Sequence, residues 1–199
     1  MEFVINEVLK SITYILPVGS RKDCWLVDCG DIDKIVEKGW QVLGVLLTHA
    51  HFDHIYGLNR LIEIFPSALV YTNEDGFKGL QSPRWNFSRY HDEVEEFTFT
   101  HTDSIRILRR EGRILLHEGM EADALFTPGH DPSCVSYHIE NLLFTGDSYI
   151  PNVQTITYFP NSVKEQAEAA LRRLKILEQR FDWKICPGHW IESNSVKET

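Results

Sequence analysis

The stretch that decides the fold is Val42-Leu43-Gly44-Val45-Leu46-Leu47-Thr48-His49-Ala50-His51-Phe52-Asp53-His54. Its first part is a continuous apolar run, which predicts a strand that is covered on both faces. Its second part places three imidazoles and one carboxylate within six residues, and these side chains are ligands of divalent metals. Buried polar groups must find partners, so a packed core has little use for such a cluster. The stretch therefore predicts a strand with a metal site at its end.

Strand and helix patterns continue on both sides of this stretch. Alternating or continuous apolar runs predict strands at 3–9 and 12–18, joined as a hairpin, and at 24–27, 42–47, 68–72, 105–108, 114–117, 124–126, 133–139, 142–145 and 184–186. Helical spacing predicts helices at 32–38 and 55–65, and a third after the capping box formed by Ser162 and Glu165. Strands that alternate with helices indicate an α/β protein with helices covering mixed sheets.

The region 73–104 is less regular and contains aromatic residues among polar residues, glycine and proline. We expect these aromatic side chains to pack locally, and the alternative is a lid insertion over the metal cleft. With 199 residues, the chain suits one domain, and we expect residues 1–199 to form it.

Composition limits the classes of partner. The formal net charge of −9 repels nucleic acid and anionic membranes, so no nucleic-acid or membrane partner is expected. We expect a small-molecule substrate instead. The first ten residues lack the pattern of a signal peptide, and no apolar run has the length of a membrane span. The four cysteines show no CxxC spacing. We therefore expect reduced thiols in a cytoplasmic protein, with a Cys24–Cys29 disulfide as the open alternative.

Three more segments combine a short apolar run, a glycine turn and a ligand-type residue. They end in Thr127-Pro128-Gly129-His130, Thr145-Gly146-Asp147 and Cys186-Pro187-Gly188-His189. Strand ends can direct side chains at one shared point, because the strands fix the position of the loops that follow them.

Taken together, these segments resemble the metallo-β-lactamase superfamily, with HxHxDH, TPGH, GD and PGH in the family's order. The resemblance implies a four-layer αβ/βα sandwich with metal ions in a cleft at the edge of the sheets. It assigns one metal ion to His49, His51 and His130, a second to Asp53, His54 and His189, and a bridging role to Asp147. Asp28 resembles a carboxylate that orients a ligand histidine. His91, His101, His117 and His138 fall outside the pattern, and we expect them to be surface or hydrogen-bonded histidines.

The expected chemistry is hydrolysis at two divalent metal ions, with zinc as the first expectation and iron or manganese as metals that fit the same ligands. Asp53 is expected to orient the nucleophile in addition to binding metal. Tyr149 follows Asp147 by two residues, and a tyrosine near this position polarises the substrate carbonyl in lactonase-like relatives. A packed tyrosine is the alternative for Tyr149.

The subgroup with the most similar pattern is glyoxalase II, which hydrolyses a thioester. Two departures separate this sequence from that enzyme. Ten residues follow His189, too few for its C-terminal glutathione-binding domain, and its Cys-Gly-Arg-Phe signature is absent after Asp147. We therefore expect a hydrolase that acts on an ester, thioester, lactone or related bond, rather than on a glutathione thioester. A β-lactamase is less expected without an export signal, and a ribonuclease is disfavoured by the net charge.

Two alternatives compete with a dinuclear hydrolase. Persulfide dioxygenases share the HxHxDH motif but hold a single iron through the residues that match His49, His130 and Asp147. A closed structural zinc site is the second alternative, but such sites favour cysteine-rich ligand sets, and no cysteine here has ligand spacing.

Overall fold

The computed structural model describes residues 2–19, 21–92 and 94–191. The outermost parts of the predicted domain, residues 1 and 192–199, therefore lie outside the described residues, as do residues 20 and 93. The described chain forms two β-sheets that pack face to face, with helices on both outer faces.

The first sheet has six strands in the order β1-β2-β3-β4-β5-β6. The first two pairs are antiparallel, and β3 to β6 are parallel to one another. The strands are β1 (Glu2–Ile5), β2 (Ile12–Val18), β3 (Asp23–Val27), β4 (Gln41–Leu46), β5 (Leu69–Asn73) and β6 (Ile105–Leu108).

The second sheet has five strands in the order β11-β10-β9-β8-β7, and only the β10–β11 pair is parallel. These strands are β7 (Gly112–His117), β8 (Met120–Phe126), β9 (Val135–Ile139), β10 (Leu142–Gly146) and β11 (Lys184–Pro187). The helices are α1 (Ile32–Glu37), α2 (Phe52–Ile55), α3 (Leu58–Ile64), α4 (Glu74–Leu80) and α5 (Lys164–Phe181). Two short 3₁₀ helices lie at Ser88–Tyr90 and Thr102–Ser104.

Three apolar clusters hold these layers together. Side chains such as Trp25, Tyr137 and Phe144 fill the space between the sheets. The outer face of the first sheet packs against α1 and α3, and the outer face of the second packs against α5 through Leu143 and Leu174. Burial of apolar area of this kind is the main favourable term in folding. The predicted four-layer α/β sandwich is confirmed.

The first predicted strand was too long. β1 ends at Ile5, and residues 6–10 form a tight turn in which Leu9 and Lys10 have positive φ angles of 50° and 58°. The side chain of Asn6, fully buried, donates hydrogen bonds to Ser11 and Thr13 across this turn. Its amide thus competes with the strand ladder, as asparagine does in turns.

The helix predicted at 55–65 instead begins at Phe52 as α2, and α3 follows from Leu58. The backbone of Gly57 comes so close to another loop that a Cβ there would lie 2.0 Å from the Gly30 carbonyl oxygen. Gly57 therefore allows the two helices to pack against the loop that follows β3.

The capping box at Ser162 was wrong. The N-cap of α5 is Val163, and the Ser162 hydroxyl instead donates to the His130 carbonyl oxygen. This bond links the start of α5 to the loop that carries His130.

Helix α4 was missed within the region 73–104, because Gly76 and Gly79 lower its helix propensity. Further along, the Asn86 amide donates to the carbonyl oxygens of Gly79 and Phe97, and Phe97 and Phe99 are buried in the core. Part of this region packs locally, as expected, while a role as a lid stays a prediction.

Within the described residues, no helix combines the length and the apolar character needed to cross a bilayer. All four cysteines are free and buried.

Candidate metal centre

The seven predicted ligands lie at the ends of four strands. His49 and His51 follow β4, and Asp53 and His54 lie in the short helix α2. The remaining three, His130, Asp147 and His189, follow β8, β10 and β11. The strands therefore bring together residues that are up to 140 positions apart in the sequence.

This cluster is buried. The four ligands in the HxHxDH segment are at most 5% exposed, and His130 is 2% exposed. The side chains of Asp147 and His189 are 11% and 17% exposed, so they form the side of the cluster that faces solvent. Such a site has little water to satisfy its polar atoms.

Hydrogen bonds outside the cluster fix the orientation of four imidazoles. The Nδ1 atom of His54 donates to Asp28 at 2.9 Å, and that of His49 lies 3.1 Å from the Thr48 hydroxyl. The Nδ1 atoms of His130 and His189 lie 2.9 and 3.0 Å from the carbonyl oxygens of Ile156 and Leu9. Carbonyl and carboxylate oxygens only accept, and the Thr48 hydroxyl already donates to Asp28, so all four imidazoles carry a proton on Nδ1 and direct Nε2 to the interior of the cluster.

The inward-facing nitrogen atoms come close to one another. His54 Nε2 lies 3.2 Å from His189 Nε2, and His130 Nε2 lies 3.1 Å from His51 Nδ1. In the tautomers just described, His54, His189 and His130 present lone pairs at these points. Two lone pairs cannot hydrogen bond, so the His54–His189 contact is favourable only with a metal ion nearby or with a proton on one of the two Nε2 atoms.

The ligand atoms form overlapping groups, each compact enough to hold one ion. They are His49, His51 and His130; His49, His54 and Asp147; and Asp53, His54 and His189. The first and third groups match the two predicted metal sites. The Asp147 carboxylate lies between them, with Oδ2 at 3.6 Å from His130 Nε2 and at 3.2 Å from His189 Nε2.

Among the residues that the structure describes, four buried atoms of this cluster have no hydrogen-bond partner: His49 Nε2, His51 Nε2, Asp53 Oδ2 and Asp147 Oδ1. Unpartnered buried polar atoms are rare and call for an explanation, such as a bound ion. Nitrogen and oxygen atoms of this kind are ligands of zinc, iron and manganese, so the residues present fit divalent metal ions.

The electrostatics of the cluster also favour a cation. Burial lowers the pKa of His49 well below its usual range, and the neighbouring His54 lowers it further. Burial would also lower the pKa of His54, but Asp53 and Asp28 outweigh that effect and raise it. Burial would raise the pKa of Asp147, yet the hydrogen bond from His189 and the charge of His54 hold it well below its usual range. The Asp147 carboxylate thus stays ionised and attracts positive charge.

The role expected of Asp28 has a clear geometric basis. Asp28 is 1% exposed and accepts bonds from the Thr48 backbone N–H and the Thr48 hydroxyl, each at 2.7 Å, besides the bond from His54. One carboxylate therefore orients a predicted ligand and the loop that carries two others.

Sequence reasoning missed several supporting residues. Asp131 accepts bonds from Ser133 and places Oδ2 3.5 Å from His51 Nε2. Ser11 is fully buried, donates to the Asp53 carbonyl oxygen at 2.7 Å and forms a β-bridge with His189. The position of Asp131 directly after a predicted ligand was a usable signal, whereas Ser11 is distant in sequence and gave none.

An aromatic pair, Phe87 and Phe159, was also missed as part of the site. The two rings stack with centroids 4.9 Å apart, and both contact His51, at 4.9 and 5.1 Å. Phe87 adopts a positive φ of 66° directly before the 3₁₀ helix Ser88–Tyr90. This pair forms an apolar wall on one side of the metal centre.

Tyr149 is placed elsewhere. Its hydroxyl donates to Glu178 on α5 at 3.1 Å, and its ring packs with Leu143 and Leu174 under that helix. The structure therefore matches the packed-tyrosine alternative, because the hydroxyl points at α5. We do not assign a catalytic role to Tyr149. His91, His101, His117 and His138 are likewise absent from the metal-ligand groups of the described chain.

A cavity of about 270 Å³ opens beside His130, Asp147 and His189. Lys10 and the segment 153–156 contribute to its walls. The ligand side chains are thus reachable by a small molecule.

Comparison with known proteins places this fold and ligand set in a family. A probable metallo-hydrolase of Streptococcus pyogenes is 28% identical over 194 residues, which cover 93% of this chain and 81% of that protein. The hydroxyacylglutathione hydrolase GloC of Haemophilus influenzae is 27% identical over 179 residues, covering 85% and 81% of the two chains. The hydroxyacylglutathione hydrolase of Buchnera aphidicola is 26% identical over 129 residues. These residues cover 63% of this chain but only 42% of that protein.

Solved structures show the same fold. The crystal structure of the BLEG-1 B3 metallo-β-lactamase superposes with a TM-score of 0.84 at 25% identity, covering 96% of this chain and 91% of that one. A second protein, crystallised in a di-iron-bound form, gives a TM-score of 0.79 at 23% identity, with 97% and 94% covered. The family model described as the metallo-beta-lactamase superfamily matches residues 16–189. The resemblance drawn from the motifs is therefore confirmed, and the chain belongs to the metallo-β-lactamase superfamily.

Proposed function

We propose that this metal-dependent hydrolase cleaves a thioester, ester, lactone or related bond of a small molecule, and that its seven clustered ligands hold two divalent metal ions. His49, His51 and His130 would hold one ion, Asp53, His54 and His189 the other, and Asp147 both. The observation that carries the proposal is the inward convergence of nitrogen and oxygen atoms, several of them unpartnered, in three overlapping groups.

Two bound dications would lower the pKa of a bound water and polarise the bond to be cleaved. The chain's own residues would then act around that chemistry. Asp53 Oδ2 has no hydrogen-bond partner and lies 3.3 and 3.4 Å from the Nε2 atoms of His54 and His189. We assign to it the orientation of the attacking water through a hydrogen bond.

Phe87 and Phe159 would exclude bulk water from the side of the cluster formed by His51. Apolar walls of this kind strengthen electrostatic interactions inside a site, because they lower the local dielectric constant. The cavity beside His130 and His189 gives the substrate its route to the reacting atoms.

The names of the relatives support hydrolysis, and two of them are hydroxyacylglutathione hydrolases, which favours a thioester within the proposed range of bonds. Zinc remains the first expectation for the metal. Iron is the main competitor, because one relative by fold was crystallised with two iron ions.

The test uses protein purified without added metal and a panel of small thioesters, esters and lactones. His130→Ala and Asp147→Ala should lose bound metal, and kcat/KM should fall by more than about 100-fold. His117→Ala, an exposed histidine outside the cluster, is the matched control and should keep both. Turnover that persists in Asp147→Ala after the metal is lost would overturn the proposal.

The competing function is oxidation by a single iron held by His49, His130 and Asp147. A persulfide substrate, an oxygen electrode and metal analysis separate the two functions. One iron per chain with oxygen uptake favours the dioxygenase, and two ions per chain without oxygen uptake favour the hydrolase.

A further inference from the structure

A second cavity, of about 600 Å³, lies at the edge of the sandwich where the two sheets meet. Tyr14 of β2 contributes from the first sheet and Ile185 of β11 from the second, and the loop after Asp147 closes one side. We call this cavity the edge groove. Its volume falls within the range of pockets that bind small molecules.

Several apolar side chains are exposed along this groove. The exposed fractions are 39% for Phe3, 37% for Val153, 46% for Trp190 and 50% for Ile191. Phe3 and Trp190 stack with ring centroids 5.9 Å apart and form its rim. Exposed apolar side chains that form one continuous patch mark interaction or ligand-binding sites.

Two polar side chains in the lining of the edge groove, Tyr14 and Cys186, are already satisfied or neutral. The Tyr14 hydroxyl donates to the Pro187 carbonyl oxygen at 2.9 Å. Burial raises the pKa of the Cys186 thiol to about 11, so this side chain is uncharged at neutral pH. The lining also contains the exposed side chains of Lys184 and Asn152. The surface formed by Tyr14 and Cys186 offers neither a free donor nor a charge, and it favours an apolar occupant, because a polar one would lose its bonds to water.

The edge groove is continuous with the metal centre. His189 lines both cavities, and Ile150, Val153, Trp190 and Ile191 also belong to both. A molecule that places its reacting bond beside His189 can therefore extend directly into the groove.

We propose that the edge groove binds an apolar acyl chain of the substrate while the bond to be cleaved lies at the metal centre. This proposal rests on the proposed hydrolysis and names the substrate class as acyl thioesters or esters with an aliphatic or aromatic acyl group. Burial of each methylene gives about a fourfold gain in binding.

The first test measures kcat/KM for N-acetylcysteamine thioesters with acyl chains from acetyl to octanoyl. The value should rise by about fourfold per methylene over the first few additions. Val153→Asp places a charge in the groove and should flatten this dependence. Ile176→Asp, at a 62% exposed aliphatic position on α5, is the matched control and should retain it. A wild-type kcat/KM that does not depend on acyl-chain length would overturn the proposal.

The second test is independent of turnover. Octanamide, which is neutral and resembles an acyl chain, should bind and change the tryptophan fluorescence, and Trp190→Phe should remove most of that change. Binding of octanamide without hydrolysis of any thioester would refute thioester hydrolysis and leave the groove as a site for apolar ligands. If octanamide does not bind to folded, metal-loaded protein, the proposed role of the edge groove is refuted.

Two other occupants would give different results. Binding that appears only after removal of residues 192–199 would assign the groove to the chain's own C-terminal residues. Binding that weakens as the protein concentration rises would assign it to a second copy of the chain. Either result would overturn the proposal.

Discussion

Replacing Asp28 with asparagine removes one negative charge and keeps the shape of the side chain. The position has a φ of 61°, and asparagine tolerates this left-handed conformation as well as aspartate does. Three hydrogen bonds end on the carboxylate, from the Thr48 N–H and hydroxyl and from His54 Nδ1. In asparagine, an NH₂ group replaces one of the two carboxylate oxygens. This NH₂ group must face a group that now donates to Asp28, either on Thr48 or the Nδ1–H of His54.

If the amide N–H faces His54, the imidazole must change tautomer to avoid two opposed donors. The proton then sits on Nε2, which is the atom that faces Asp53 and His189. We expect metal affinity to fall by 10- to 100-fold, as for other carboxylates that orient a ligand histidine, or about 1.4 to 2.8 kcal/mol. The metal-free protein should lose about 1.5 to 3 kcal/mol of unfolding free energy, because a charge-assisted hydrogen bond is lost.

Competition with a chromophoric chelator at fixed pH measures this affinity. Asp33→Asn is the matched control, because its side chain is 70% exposed on α1 and pairs with Arg60 at the surface. An Asp28→Asn protein that binds metal within about threefold of wild type, while it unfolds more easily, would refute the reasoning, because Asp28 would then support only the backbone of the loop.

Three further changes test other parts of the structure. Gly188→Ala would place a Cβ 2.2 Å from Asp147 Oδ1, so it should displace that carboxylate. The substitution should lower the unfolding free energy by about 1 to 3 kcal/mol and lower the metal content. Unchanged metal content would contradict this close packing. Leu174→Ala, on the buried face of α5, should lower the unfolding free energy by about 2 to 5 kcal/mol in chemical denaturation without changing metal content. Arg173 donates to Glu111 at 2.9 Å and lowers the pKa of that partly exposed carboxyl, so Glu111→Gln should cost less than about 1 kcal/mol at pH 7. The pKa of Glu111 is lower in the folded state than in the unfolded state, so the ion pair contributes its full stability above the unfolded-state pKa. The difference in unfolding free energy between wild type and Glu111→Gln should therefore shrink as the pH falls through about 4. A difference that grows on acidification would contradict this assignment.

The motifs predicted the fold class and the clustered residues well, because strand ends determine where such side chains go. The apolar run before His49 and the glycines before His130, Asp147 and His189 are local signals, and each marks a strand end. The prediction for Asp28 also rested on its position directly after a strand.

Several failures depended on a side-chain hydrogen bond that local patterns do not reveal, and for Ser162 and Tyr149 the partner is also distant in sequence. The strand that begins at residue 3 ends early because Asn6 bonds to Ser11 and Thr13. The Ser162 hydroxyl bonds to the carbonyl oxygen of His130 rather than capping α5. Tyr149 points at Glu178, 29 residues away. Local propensity cannot anticipate such partners, because tertiary contacts override it.

Metal stoichiometry tests the central claim most directly. Protein purified without added metal and analysed by elemental mass spectrometry should contain two divalent ions per chain, and Asp147→Ala should contain fewer. The same wild-type sample should hydrolyse at least one member of the thioester, ester and lactone panel. One ion per chain, unchanged by substitution of Asp53 or His54, would contradict the dinuclear account, because that residual ion would be held by the other ligands alone.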